Sequence, residues 1–420
     1  MTKLRVLHTS DWHLGKEFHG FSRDREHDHF LRWLEDILVA EEIDVLIVAG
    51  DIFDSQNPPV SAQRQLYLFN QRARQKLPNL ETIIIGGNHD PIGRLEAPRP
   101  LLDAFGVHVV GALPHDADRK IAFDNLIIPL HDRDGKIAAL CAAVPFLRLP
   151  DLPPKPDDAT NAGSISSGVR QIYTEVLAQA ALDLPKEVPL ITTGHCHLTG
   201  CAVSELSERR LMTGGEEALP IDIFPENLAY VALGHLHKAQ KVGGRETVRY
   251  SGSPLPLSVS EREYVHQVLV IELEGGQTSV RSVNVPRLVD VLRIPRSGAA
   301  TREQVLAALR AIDAPSTPER DLHPYLHVVV SMDGPEPNLR RDVEAALVGK
   351  GVRLASIEVV TNAPDKSESI PIAVDLDTLK PEDVFSRCWH RTYGTEPTQP
   401  HLEAFRELVM MVENGGETSL

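Results

Sequence analysis

Residues 4–13 read LRVLHTSDWH. LRVL is an apolar run of strand type, and it stops at Asp11 and His13, two polar side chains on either side of Trp12. Such groups are expensive to desolvate at the end of a buried strand unless chemistry there needs them. The same design recurs along the chain. IDVLIVAGD is short, β-branched and nearly all apolar, and it runs into GDIFD, with Asp51 and Asp54. ETIIIGGNHD ends in Asn88, His89 and Asp90. VPLITTG (188–194) leads into GHCH, with His195 and His197, and LAYVALG (228–234) leads into GHLH, with His235 and His237.

Between the first strands lie helical patterns. Residues 24–41 carry Phe30, Trp33, Leu34, Ile37 and Leu38 on one face, and residues 60–77 repeat the period. Strands alternating with helices imply parallel pairing in an α/β sandwich. Residues 121–149 look like antiparallel strands, and the Pro-, Ser- and Gly-rich stretch 150–168 reads as an exposed loop. In open α/β sheets, ligands sit beyond the carboxyl ends of the strands, so the five polar stretches are expected to converge. Each is weak alone: GDIFD could cap a helix, GNHD could be an Asn-rich turn, and a GHxH could hold core histidines. Five strand ends of one kind are what favour a common site.

Composition narrows the function. The chain has 420 residues, so two or three domains are expected. No apolar run approaches the roughly 18 residues of a membrane helix. The N-terminal MTKLRVLH has no signal-peptide pattern, and Cys141, Cys196, Cys201 and Cys388 form no CxxC pair. These features suggest a reducing cytoplasm, with Cys196 a structural thiol rather than a metal ligand. A net charge of −16 argues against a generally DNA-adhesive surface. A nucleic-acid role would need a local positive source: bound metals, a small basic patch or a partner.

His, Asp and Asn without thiolates suit borderline or hard divalent ions such as Mn²⁺, Fe²⁺ or Zn²⁺. Seven candidate ligands exceed the needs of one ion but fit two that share a carboxylate. Two ions about 3.5–4 Å apart clamp an in-line displacement at phosphorus and lower the pKa of water from about 15.7 toward about 7.

A second unit is expected from about Val285. RLVDVLRI, YLHVVVSM and VRLASIEVV read as strands. TREQVLAALRAI, with a Thr301…Gln304 capping box, and NLRRDVEAALVGK read as helices. This is the order of a small α+β domain ending near residue 364. Residues 381–394 then form a helical pattern from Pro381 to Gly394, with a stripe of Val384, Phe385, Cys388 and Trp389. After a break, HLEAFRELVMMVE repeats it with Leu402, Phe405, Leu408, Val409 and Val412, plus Met410 and Met411, suited to an adaptable partner groove.

The set DxH, GDxxD, GNHD, GHxx and GHxH resembles the calcineurin-like metallophosphoesterase superfamily. HTSDWHLGK, VAGDIFD, GNHDP and LGHLHK, with the small second domain and helical tail, resemble its SbcD family of bacterial nuclease subunits. The resemblance implies a sandwich of mixed sheets flanked by helices over residues 1–285, an α+β capping domain over 286–364 and a linker with C-terminal helices over 365–420. It assigns Asp11, His13 and His237 to one metal, Asn88, His195 and His235 to a second, and Asp51 to a bridge. His89 becomes a catalytic group at the scissile phosphate, with Asp54 and Asp90 orienting histidines or phosphate. His197 is left out, because the family's fourth motif requires only its first histidine. The implied activity is Mn²⁺-dependent DNA cleavage, exonucleolytic on duplex ends and endonucleolytic on single strands and hairpins. The implied assembly is a homodimer joined to two SbcC-type SMC-like ATPase subunits, docked by the tail. Candidate dimer segments are 60–77, with Leu66, Tyr67 and Phe69, and 99–106, with Leu101, Leu102 and Phe105. A phosphatase or cyclic-nucleotide phosphodiesterase on the same site is the alternative, though it has no need of the residues after 285. A metal-free scaffold has no reason to keep seven costly polar side chains at strand ends.

Overall fold

A computed structural model of the chain describes residues 3–153, 163–183, 188–204, 218–314, 318–332, 334, 336–361, 381–402 and 404–406. The chain divides into two compact units, Met1–Asp290 and Val291–Leu420.

The first unit is built on two six-stranded sheets. One runs, edge to edge, Gln277–Asn284, Gln267–Glu274, Lys3–Thr9, Val45–Ala49, Glu81–Ile85 and Val107–Val110. Its last four strands are parallel, as the alternation of strands and helices predicts. The hairpin Gln267–Asn284, which the sequence pattern does not anticipate, adds antiparallel on the other side of Lys3–Thr9. The second sheet runs Gln240–Val242, Arg245–Tyr250, Tyr230–Gly234, Leu190–His195, Ile137–Ala142 and Ile127–His131. It is parallel at its centre and antiparallel at both edges.

Why the strand at 45–49 lacks polar alternation is now plain. Val45, Ile47 and Ala49 face a core shared with the second sheet, while Leu46 and Val48 face helices. A strand buried on both faces must be apolar throughout. The helices Asp24–Ala40 and Val60–Lys76 cover the outer face with Phe30, Leu34, Leu38, Leu66 and Phe69. On the second sheet, Val169, Ile172, Tyr173 and Val176 of the helix Gly163–Asp183 join the core. This helix corrects the expectation of a loop through residue 168: it begins at Gly163, and residues 154–162 lie outside the described ones.

In the second unit, Val291–Ile294, Tyr325–Met332 and Arg353–Thr361 are parallel strands. Helices Arg302–Arg310 and Leu339–Ala346 bury Val305, Leu309, Leu339 and Val343 against Leu326, Val328 and Val330. The Thr301–Gln304 capping box forms: Gln304 N–H donates to Thr301 Oγ1 at 3.4 Å and Thr301 N–H to Gln304 Oε1 at 3.1 Å. The tail helix Pro381–Tyr393 is followed by helical residues at 399–402 and 404–406. Phe385 stacks on Phe405 at 4.3 Å, Trp389 meets His401 at 4.3 Å, and Glu382 pairs with Arg406. Part of the expected apolar stripe is therefore spent between the two tail segments. Leu408, Val409, Met410, Met411 and Val412 lie outside the described residues.

Candidate metal centre

The loops that follow the first strands are zipped together by their backbones. Asp11 N–H donates to Gly50 O, His13 N–H to Asp51 O and Leu14 N–H to Ile52 O, at 3.0, 3.0 and 2.8 Å. Trp12, between the two polar residues, points inward, donates to Thr9 Oγ1 and packs edge-on against Phe30 and Phe69. That anchor turns Asp11 and His13 away from the helices. Asp11, His13, Asp51 and His235 all have positive φ, at 55, 46, 51 and 98°. Such left-handed geometry at non-glycine residues costs on the order of 1–3 kcal/mol each and clusters at functional sites. The two sheets meet closely here. A Cβ on Gly234 would lie 1.8 Å from Ala49 O, and one on Gly50 would lie 2.2 Å from His195 Nδ1.

Five of the seven sequence-predicted ligands fall in two of three overlapping sets of donors, the third being His13, Asp54 and His89. Asp11, His13 and His237 bring one donor atom each to within 4.8 Å of one another, and so do Asp11, Asp51 and His195. Asn88 Oδ1 lies 3.0 Å from His195 Nε2 and 3.2 Å from His235 Nδ1. Asp51 Oδ2 sits between the sets, 3.5 Å from His13 Nε2 and 3.4 Å from His195 Nε2. Its other oxygen accepts the His89 N–H at 2.9 Å. Asp11 is held by the His235 N–H and by Ser10 Oγ, itself bonded to Ser251.

Acceptors around the site select the ring nitrogen that each histidine presents. His195 Nδ1 donates to Ala49 O at 2.9 Å, His13 Nδ1 to Asp54 Oδ1 at 3.1 Å and His237 Nδ1 to Glu261 Oε1 at 3.0 Å. A carbonyl or carboxylate can only accept, so in each of these three Nδ1 carries the hydrogen and Nε2 is the nitrogen available to a metal. His13 Nε2 is buried and has no hydrogen-bond partner among the described residues. His89 Nδ1 donates to Asp54 O at 2.8 Å, leaving its Nε2 on a half-exposed side chain.

The electrostatics call for positive charge. Burial works to raise the Asp51 carboxyl, but the His195, His13 and His89 imidazoles overcome it and hold the group well below the usual carboxylate range. Burial works to lower His195, yet the Asp51 carboxylate lifts it to about 9. Burial lowers His13 despite its bond to Asp54. A bare imidazole nitrogen, two imidazoles bracketing a carboxylate and an amide oxygen between two rings are the donor set of divalent cations, and the residues fit a pair of them.

The Asp90 carboxylate is fully buried and accepts the Ile52, Phe53 and Gly87 N–H groups. It ties the Asp51 loop to the Asn88 loop, and burial with the nearby Asp51 charge pushes it up to about 6. Leu66 and Phe69 face the core, whereas Leu101 and Phe105 are exposed. Asp54 does bond His13, and it also takes Lys16 Nζ at 2.8 Å. His197 belongs to neither ligand set. Glu261 was not legible in the sequence. Fully buried, it accepts from His237, from Leu257 N–H at 2.7 Å and from Ser204 Oγ at 3.2 Å, yet SEREY carries no recognisable motif.

Comparisons with known proteins place the chain in a family. The calcineurin-like phosphoesterase family matches residues 4–239, and a family described as type 5 capsule protein repressor C-terminal domain matches residues 287–393. The SbcD component of the SbcCD nuclease from Rhodobacter capsulatus is 40% identical over 91% of this chain and 94% of its own length. The SbcD of Escherichia coli K12 is 35% identical over 67% of this chain and 68% of its own. The SbcD of Bacillus subtilis is 33% identical over 65% and 67%.

Proposed function

The chain belongs to the calcineurin-like phosphoesterases, in the SbcD family of nuclease subunits, and from that premise we propose that it is a two-metal DNA nuclease subunit. It acts as an exonuclease on duplex ends and an endonuclease on single strands and hairpins. The observation that carries this reading is the position of Asp51 Oδ2 between His13 and His195, with Asn88, His235, Asp11 and His237 around it. The first ion would be held by Asp11, His13 and His237 and the second by Asn88, His195 and His235, with Asp51 available to both; the expected metal is Mn²⁺. When bound, the ions supply Lewis acidity at the phosphate and acidify water. His89 would turn Nε2 toward the scissile phosphate to stabilise the transition state or assist the leaving group. Asp54 holds the backs of His13 and, through its carbonyl, His89.

Residues 1–285 are assigned to catalysis, 286–364 to a cap and 365–420 to docking on an SMC-like ATPase, in a complex of two nuclease and two ATPase subunits. The exposed Leu101 and Phe105 support a homodimer contact. Among the described residues no helix is long and apolar enough to cross a membrane. The nuclease reading assigns the protein to the cytoplasm, where its DNA substrate lies. The test is incubation with Mn²⁺ and labelled duplex, hairpin and mononucleotide phosphoester, with and without the ATPase. Cleavage of the DNAs supports the reading; turnover of the mononucleotide alone replaces it with a small-molecule phosphatase.

A further inference from the structure

Arg148 stands beside the Asn88–His195 half of the centre with a free donor. Its Nη2 donates to Gly87 O at 3.2 Å, the carbonyl immediately before Asn88. Its guanidinium lies 5.5 Å over the Phe146 ring, and that ring meets the edge of His195 at 6.1 Å. The backbone beneath it is pinned, with Phe146 N–H on Gly86 O and Arg148 N–H on Asp151 Oδ2. Nη1 is buried and has no hydrogen-bond partner among the described residues. The other cations near the centre are engaged: Lys16 is bonded to Asp54, and Lys238 lies over the Tyr264 ring.

We infer that Arg148 is a phosphate-binding residue of this centre, taking a backbone phosphate of the nucleic acid on the Asn88–His195 side. The inference rests on the nuclease reading above. The guanidinium suits the task because its fork can keep one N–H on Gly87 O and offer others to a phosphate, which an ammonium cannot do with the same geometry. The side chain is partly exposed although Nη1 itself is buried, so a rotation about its terminal bonds is what brings that donor out to an incoming oxygen. A solely structural arginine would instead tie the 146–148 segment to the Gly86–Gly87 turn.

The experiment separates the two roles through binding rather than turnover. Full-length, Mn²⁺-loaded protein, in a His89→Ala background to slow cleavage, is titrated with a short fluorescein-labelled single strand across a salt series. Metal content is measured in parallel. Arg148→Gln is expected to keep its metals, weaken binding at least about tenfold and reduce the slope of log K against log salt by about 0.7, the loss of one phosphate contact. Arg148→Lys should retain the slope while losing part of the affinity. Unchanged affinity and slope in Arg148→Gln would overturn the assignment. So would loss of metal alongside binding, which identifies a structural tie. If the parent protein itself binds no strand, the nuclease reading falls and Arg148's role with it.

Discussion

Replacing Glu261 by Gln alters one buried atom pair and tests whether a residue outside every motif controls the metal centre. Glu261 has no solvent exposure. One oxygen accepts from His237 Nδ1 at 3.0 Å, and the other accepts Leu257 N–H at 2.7 Å. A glutamine keeps the shape but has a single acceptor oxygen. Whichever way the amide turns, an NH₂ faces an N–H. If it faces Leu257, a backbone donor is left unsatisfied; if it faces His237, the imidazole is driven toward the tautomer that puts hydrogen on Nε2. The lost charge-assisted bond and the stranded donor together cost about 1–3 kcal/mol. Loss of such a supporting carboxylate typically lowers metal affinity about 10–100-fold. The assay is calorimetric titration of the metal-free protein with Mn²⁺. The expected result is one weakened site, that of Asp11, His13 and His237, beside one unchanged, with thermal stability reduced by a few degrees. Two sites of parental affinity in Glu261→Gln would refute the reasoning.

Asp51→Ala should lose both metals and activity together. His89→Ala should keep both metals and lose about 10²–10⁴-fold in rate; metal loss by elemental analysis would show His89 to be a ligand. Gly234→Ala places a Cβ 1.8 Å from Ala49 O, so the two sheets must part at the site; a cost of about 1–3 kcal/mol and reduced metal stoichiometry are expected. His8 and His27 are buried, and burial lowers each to about 3. The unfolded chain therefore binds more protons between pH 6.5 and about 3, so stability rises with pH through that window and is lost as pH falls. Each group contributes about 2 kcal/mol of that loss at pH ~5. The urea midpoint of metal-free protein should be lower at pH ~5 than at pH ~7.5, and His27→Leu should shrink the difference. Truncation after about residue 375 should spare Mn²⁺-dependent cleavage and abolish ATPase binding; full-affinity co-purification of the truncated protein would remove the tail from that role.

The five strand ends were legible because their information is local. An apolar run, a tight turn and a His, Asp or Asn within two or three residues can be read without knowing what lies opposite. The capping box at Thr301 and the strand at Tyr325–Met332 were legible for the same reason. Which nitrogen each histidine presents was not, because it is set by partners far away in sequence: Ala49 O for His195, Asp54 for His13, Glu261 for His237. Helical periodicity marked Leu66 and Phe69 as one apolar stripe but could not say whether core or partner covers it, and the sheet of Lys3–Thr9 and Val45–Ala49 supplies the cover. Asp90 was legible as part of the GNHD stretch. That three backbone N–H groups converge on it and make it a tie between loops was not. Residue type and spacing determine what a strand end can bind; the packing of two sheets decides which atoms are turned toward one another, because those contacts join residues that only the closed sandwich brings together.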